Sequence, residues 1–341
     1  MRTLEVARDD LRDAAVVEEP DPQPADGEVV LAVESFAITA NTITYGVFGD
    51  AMGYWRFFPA SAAARGRIPA WGHARVLTEG SDALPAGTRL FGYVPMSTHV
   101  VLRPQAGERG GVTDMTPHRT ELPAPYNAYV PAGGDGEDAE GRMAVLRPLY
   151  VTGFLLGDHL ASSERAVLSS ASSKTALSAA WCLREHGVAV TGLTSPRNLA
   201  ATVATDAYED VLPYDDAGQL PPGPSSFVDF AGDPEVRAAV HHRLGDDLTA
   251  SIAVGATHWE DTAGFGGGQE LPGPRPEFFF APAHIGPGSM GRAAAAWPAF
   301  AAWSESWLRL EHPRGDDDVV AAFRAVLDGD VAPDVAVVAS L

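Results

Sequence analysis

The stretch Arg165-Ala166-Val167-Leu168-Ser169-Ser170-Ala171-Ser172-Ser173-Lys174-Thr175, followed after a short gap by Val188-Ala189-Val190-Thr191-Gly192-Leu193-Thr194-Ser195-Pro196-Arg197, decides the fold. An apolar run ends in small hydroxyl residues. A helical stretch, Ala176 to His186, follows and is closed by Gly187. A second apolar run ends in Thr194, Ser195 and Arg197. This pattern is a β-α-β unit whose first turn suits a phosphate at a helix N-terminus. The second strand ends without an acid and with an arginine close by, which points to a dinucleotide carrying a 2′-phosphate, NADP(H) rather than NAD.

Downstream, the alternation continues. Strands are expected at Asp210–Pro213, Ser226–Phe230 and Thr249–Val254, with a late one at Phe278–Ala281. Helices are expected at 198–205 and 234–244, the latter opened by Asp233-Pro234 as N-cap and first residue. An Ala/Trp-rich helix near 293–308, a helix at 317–327 closed by Gly329, and a strand at 335–338 complete the tail. Upstream, short strands at 28–35, 68–77, 88–94 and 99–102 are separated by Gly and Pro, as in a small β-barrel. The span from Gly107 to Gly141 is polar and Gly-rich and reads as a mobile surface excursion.

The totals bound the rest. With 341 residues, 45% hydrophobic and 20% charged, the chain is long enough for two domains of ordinary globular composition. A formal net charge of -21 argues against nucleic acid or anionic membrane as partners. The same charge opposes an anionic cofactor, which must therefore be held by local donors. The single cysteine, Cys182, allows no internal disulfide and no Cys-based zinc site. Neither a signal peptide nor an apolar run of membrane-spanning length is seen, so a cytoplasmic location is expected.

Further segments carry a resemblance: Gly27-Glu28-Val29, Ala40-Asn41-Thr42, Pro69-Ala70-Trp71-Gly72 and Pro85-Ala86-Gly87-Thr88-Arg89-Leu90-Phe91-Gly92. With Tyr54-Trp55-Arg56-Phe57-Phe58-Pro59, Gly92-Tyr93-Val94-Pro95-Met96-Ser97 and the serine turn, the chain resembles the DUF2855 branch of the medium-chain dehydrogenase/reductase superfamily. The resemblance implies an α/β protein of two domains. A GroES-like β-barrel, residues 1–150 plus 285–341, would face a Rossmann doubly wound parallel sheet, residues 151–284, with the cofactor in the cleft between them.

Candidate cofactor contacts are Ser170, Ser172, Ser173, Lys174 and Thr175 in the first turn, and Thr194, Ser195 and Arg197 after the second strand. Serines and alanine stand where the superfamily has glycines, so hydroxyls and Lys174 would replace backbone approach. Zinc-dependent members draw ligands from a Cys and a Gly-His-Glu segment. Here Gly72-His73-Ala74 keeps only the His, and the adjacent His241 and His242 point apart on a helix, so no metal is expected. Without zinc, hydrogen-bond donors must polarise a carbonyl. Asn41, Thr42, Thr44 and Tyr45 in the loop after the first strands, with Tyr54 and Trp55, are the candidates. The resemblance implies a tyrosine there, and Tyr45 and Tyr54 both remain open. Gly288-Ser289-Met290-Gly291 lacks the first glycine and the context of a nucleophile elbow. Gly264–Gly268 reads as a connector.

The expected function is zinc-independent, NADPH-linked reduction of an enone, enoyl thioester or ketone. The alternatives are a redox-inactive enzyme of the same fold acting on an acyl thioester or β-dicarbonyl substrate, and a non-catalytic NADPH-binding protein. The apolar strand around 278–281 suits a homodimer paired across a two-fold axis.

Overall fold

The computed structural model describes residues 1–77, 84–107, 110–133, 136–254 and 271–341. The chain divides into two compact units, one formed by Met1–Val145 with Leu308–Leu341, the other by Leu146–Trp307.

The first unit is a β-structure. A nine-stranded sheet runs in the order Arg309–Glu311, Val335–Ala339, Val29–Ile38, Pro69–Val76, Arg89–Pro95, Ala128–Pro131, Val112–Asp114 and Pro104–Ala106, with His99–Leu102 also paired to Val29–Ile38. A three-stranded sheet joins Ala14–Glu18, Arg2–Ala7 and Arg65–Gly66. Leu31, Phe36, Ile68 and Tyr93 form its core together with Val319 and Phe323 of the helix Asp316–Asp328. Gly92 is required by a close approach: a Cβ there would stand 2.2 Å from the Tyr129 ring.

The span 107–141 departs from the expected excursion. Its described residues supply two strands of the nine-stranded sheet, and Arg119 within it is buried. Arg119 pairs with Asp114 at 2.9 Å and donates to Asn127 Oδ1, the Tyr129 hydroxyl and the Tyr126 carbonyl. A buried cation with every arm used converts a polar segment into a packed one, which composition alone does not reveal.

The second unit is a six-stranded sheet, parallel throughout, in the order Asp210–Pro213, Ala189–Thr194, Arg165–Leu168, Ser225–Asp229, Leu248–Val254, Glu277–Phe279. Counted within the unit, the first strand is central and the direction of winding reverses beside it, the doubly wound arrangement of a Rossmann domain. Val167, Leu193, Phe227, Val240 and Leu248 form one of its core clusters.

Two features differ from the sequence reading. A helix, Glu137–His159, occupies a stretch to which no element was assigned. Pro148 and three glycines mask its pattern, yet all three glycines are contact points. A Cβ on Gly153 would lie 2.6 Å from the Ala179 backbone nitrogen, and one on Gly157 2.8 Å from Cys182 Cβ. The helix Ser289–Glu305, assigned from sequence with the tail to the first domain, belongs to the second unit. Phe300 packs on Tyr150 and Trp181, and Tyr150 donates to the Ala293 carbonyl at 3.1 Å. No helix among the described residues is long and apolar enough to cross a membrane.

Arg119→Ala is expected to lower stability by about 3–5 kcal/mol, because it leaves the Asp114 carboxylate buried without its cation. Urea unfolding of the two proteins measures this directly.

Candidate functional site

The first candidate region lies at the carboxyl ends of the central parallel strands. The strand Arg165–Leu168 leads into a turn that no glycine relaxes. Ser170 itself takes the left-handed conformation, φ 48°. Its backbone N–H is held by the Tyr214 hydroxyl at 3.1 Å, and the Tyr208 hydroxyl donates to the Ala171 carbonyl at 2.8 Å. Ser173 is the N-cap of the helix Lys174–Glu185, its hydroxyl accepting from Ala176 N at 3.3 Å. Thus Ser170 and Ser173 shape the turn. Lys174 and Thr175 are the first two residues of the helix, where backbone N–H groups and the helix dipole favour an anion.

Ser172 has a different status. Its oxygen accepts from Thr194 Oγ1 at 3.3 Å and from Asn198 Nδ2 at 3.0 Å. With both lone pairs occupied, its proton is left to donate. Thr194 and Asn198 therefore act through Ser172. Ser195 Oγ is buried without a hydrogen-bond partner, and Arg197 is exposed on the short turn Pro196–Asn198. Gly192 allows the turn to sit against the second strand, since a Cβ there would lie 2.7 Å from Ala171 Cβ.

Asp229 was missed in the sequence. Its Oδ1 accepts from Ser169 Oγ at 2.8 Å and from the backbone of Ala231 and Gly232. Its Oδ2 pairs with the mostly buried Arg237 at 2.9 Å. The signal available was an acid closing the strand Ser225–Asp229 directly after Phe227-Val228 and followed by Phe230-Ala231-Gly232.

The second region lies in the first unit. Asn41, Thr42, Thr44 and Tyr45 fall on a helix, Ala40–Val47, rather than in the expected loop. The cause is a capping box: Thr39 and Thr42 satisfy each other's backbone N–H groups. Thr44 donates to the Ala40 carbonyl within the helix and Thr42 to the Ala37 carbonyl. Asn41 and Tyr45 lie one turn apart, and Asn41 Nδ2 donates to the Tyr45 hydroxyl at 2.7 Å, as Trp71 Nε1 does at 3.1 Å. Tyr54 lies tilted beside Tyr45 with ring centroids 4.7 Å apart, and Tyr93 and Tyr126 complete a cluster of four phenols. Burial raises the phenols of Tyr45, Tyr54 and Tyr93. Trp55 packs against Gly49 and Gly66. Tyr93 and Tyr126 escaped the sequence reading because one lies within a strand and the other in the supposed excursion.

The other candidates resolve locally. His73 is fully buried, beside Phe91, and neither ring nitrogen has a partner. Burial pushes its pKa down to about 4. His241 is buried, its ring nitrogens contacting the Pro272 carbonyl and Ser251, whereas His242 is exposed. Among the described residues no group of three or more His, Cys, Asp or Glu side chains is placed to hold a metal ion. Ser289 bonds back to Gly286 as a local turn. Gly264–Gly268 lies outside the described residues. A cavity of about 240 Å³ in the first unit is lined by Phe57, Phe58, Arg67 and Arg119 among others, but both arginines are already committed to carboxylates.

The two units have the GroES-like and Rossmann architecture that the resemblance in sequence implied. A family model described as a protein of unknown function, DUF2855, matches residues 36–332, and the chain belongs to this family. No curated protein sequence matches the chain significantly. Solved structures are similar across their whole length. CurA from Vibrio vulnificus, in complex with NADPH, has 14% identity over 100% of this chain and 99% of its own, with a TM-score of 0.66. The quinone oxidoreductase from Thermus thermophilus, also solved with NADPH, has 17% identity over 100% of both chains and a TM-score of 0.62. A mutant enoyl thioester reductase from Candida tropicalis has 10% identity, 100% and 99% coverage, and a TM-score of 0.62.

His73 provides a pH test. Its folded pKa, about 4, lies below the unfolded value of 6.5. Its neutral form therefore stabilises the fold fully above about pH 6.5, and this contribution is lost as pH falls toward about 4, with a ceiling on the order of 3 kcal/mol. The stability of His73→Phe, followed by urea unfolding, is expected to fall less steeply than that of the wild type across this window.

Proposed function

We propose that the chain is an NADPH-linked oxidoreductase that works without zinc and reduces an enone, enoyl thioester or ketone. The observation that carries this reading is the donor set at the switch point of the parallel sheet. Ser172 has a proton to give, the helix Lys174–Glu185 presents its N-terminus, and Ser195 Oγ is buried without a partner beside exposed Arg197. These residues fit the dinucleotide: the turn would hold the pyrophosphate, and Ser195 with Arg197 the 2′-phosphate. The similar CurA and quinone oxidoreductase structures with NADPH support the same reading.

When bound, the nicotinamide supplies the hydride. The chain's own residues supply the rest. Lys174 and Arg197 offset the repulsion of an acidic protein for an anionic cofactor. Phenols of the first unit stabilise the oxyanion that forms on the substrate and hold the proton it needs. Zinc independence draws on the residue set: the one cysteine is buried in a Rossmann helix, and His73 is enclosed without an acidic neighbour in sequence. The strand Glu277–Phe279 closes the sheet order among the described residues, and Phe280 beside it is exposed, which supports pairing into a homodimer.

A second reading, conversion of an acyl thioester without nicotinamide, draws on the turn itself. Every position there carries a Cβ, and the Ser170 N–H is spent on Tyr214.

NADPH is expected to raise the thermal unfolding midpoint more than NADH at equal concentration. Arg197→Ala and Ser195→Ala should weaken NADPH about tenfold or more and leave NADH nearly unchanged. Equal losses for both nucleotides would overturn the 2′-phosphate assignment. No shift with either would favour the acyl thioester reading.

A further inference from the structure

We propose that the cavity of the first unit is a binding site for a small, uncharged aromatic alcohol, a phenol or naphthol, whose hydroxyl is met by His99 and His118. The proposal goes beyond the nucleotide reading and does not rest on it. None of the residues assigned to the cofactor, and none of the four clustered phenols, lines this cavity.

Size and charge narrow the ligand. The cavity holds about 240 Å³. An apolar cavity of about 150 Å³ takes benzene, so the space here suits one ring or two fused rings. Phe57 and Phe58 stand in its wall, and the Arg119 guanidinium lies over both, 5.4 and 4.9 Å from their centroids. Aromatic walls favour a flat ligand over an aliphatic one. No Asp or Glu lines the cavity. Its two arginines have no charge to spare, since Arg67 is paired with Glu5 and Glu19, and Arg119 with Asp114. A charged ligand would lose water there without gaining a free counter-ion, which favours a neutral one.

Hydrogen-bond accounting gives the two imidazoles of the lining opposite roles. The Arg2 carbonyl accepts from the Thr98 backbone N–H at 2.9 Å and from Ser97 Oγ at 2.8 Å, so both its lone pairs are filled. Thr98 Oγ1 accepts from the Arg2 backbone N–H at 3.0 Å and lies 2.9 Å from His99 Nδ1, whereas its approach to the filled carbonyl is long, 3.4 Å. The Thr98 proton therefore goes to Nδ1, and the neutral His99 ring carries its own proton on Nε2. That N–H has no hydrogen-bond partner among the described residues. Asp21, which interacts electrostatically with His99, is bound by the Met1 ammonium at 2.7 Å instead. His118 is the reverse case. Its Nε2 stands 3.3 Å from the Phe57 carbonyl, which can only accept, so the neutral ring carries its proton on Nε2 and keeps a lone pair on Nδ1. One ring offers a donor and the other an acceptor. A hydroxyl answers both, because it accepts and donates.

The test titrates the full chain with β-naphthol, with its methyl ether, which accepts but cannot donate, and with the anion β-naphthoate, each followed by probe fluorescence. The wild type is expected to bind β-naphthol about tenfold or more tightly than β-naphthoate. His99→Phe should weaken β-naphthol and the ether alike, about three- to tenfold, because both lose the same donor. His118→Phe should weaken β-naphthol by a similar factor and leave the ether unchanged. Val101→Phe, at a partly exposed position of the lining, should fill the cavity and remove binding of both. Failure of the wild type to bind β-naphthol, equal or tighter binding of β-naphthoate, unaltered binding by Val101→Phe, or equal loss of naphthol and ether in His118→Phe would overturn the proposal. His118 is exposed, so its variant keeps the test decisive if Val101→Phe does not fold.

Discussion

The buried carboxylate of Asp229 holds the switch point of the parallel sheet. It gathers Ser169 from the central strand, two backbone N–H groups after its own strand, and Arg237 from the following helix. A charge taken from water is tolerated only when its lone pairs are filled and a cation is at hand, and here both conditions hold. The consequence is a turn of defined shape at the place where a doubly wound sheet binds its ligand. Ser170 can occupy a left-handed conformation there because Tyr214 holds its N–H group, so the task usually given to glycine is carried by contacts.

A comparable device works in the first unit. Arg119 is buried and paired, and it ties the span between the outer strands to the body of the sheet. That span brings Tyr126 to three phenols and an indole contributed by the capped helix, the following turn and two strands. Four phenols in one apolar setting share few acceptors.

Much of this was legible along the chain. Apolar runs of strand length alternating with helical stretches, and a hydroxyl-rich turn before a helix, carry their own local physics, and Asp233-Pro234 opened its helix as expected. Other parts were not legible. The helix Glu137–His159 hides behind Pro148 and glycines whose purpose is contact with a neighbouring helix. Asn41, Thr42, Thr44 and Tyr45 looked like loop residues because the box formed by Thr39 and Thr42 is visible only when its reciprocal bonds are drawn.

The sequence by itself determined the class of fold, the parallel unit and its phosphate-friendly turn, because strand and helix periodicity and cap chemistry are local properties of the chain. Only the tertiary structure decided which hydroxyls still have a proton to give and which phenols gather into one cluster. Those depend on partners far apart in sequence: Ser172 with Thr194 and Asn198, Tyr45 with Trp71, and Tyr126 with Arg119 and the phenols around it. Hydrogen-bond capacity is a property of a residue, but what remains of it after folding is a property of its neighbours.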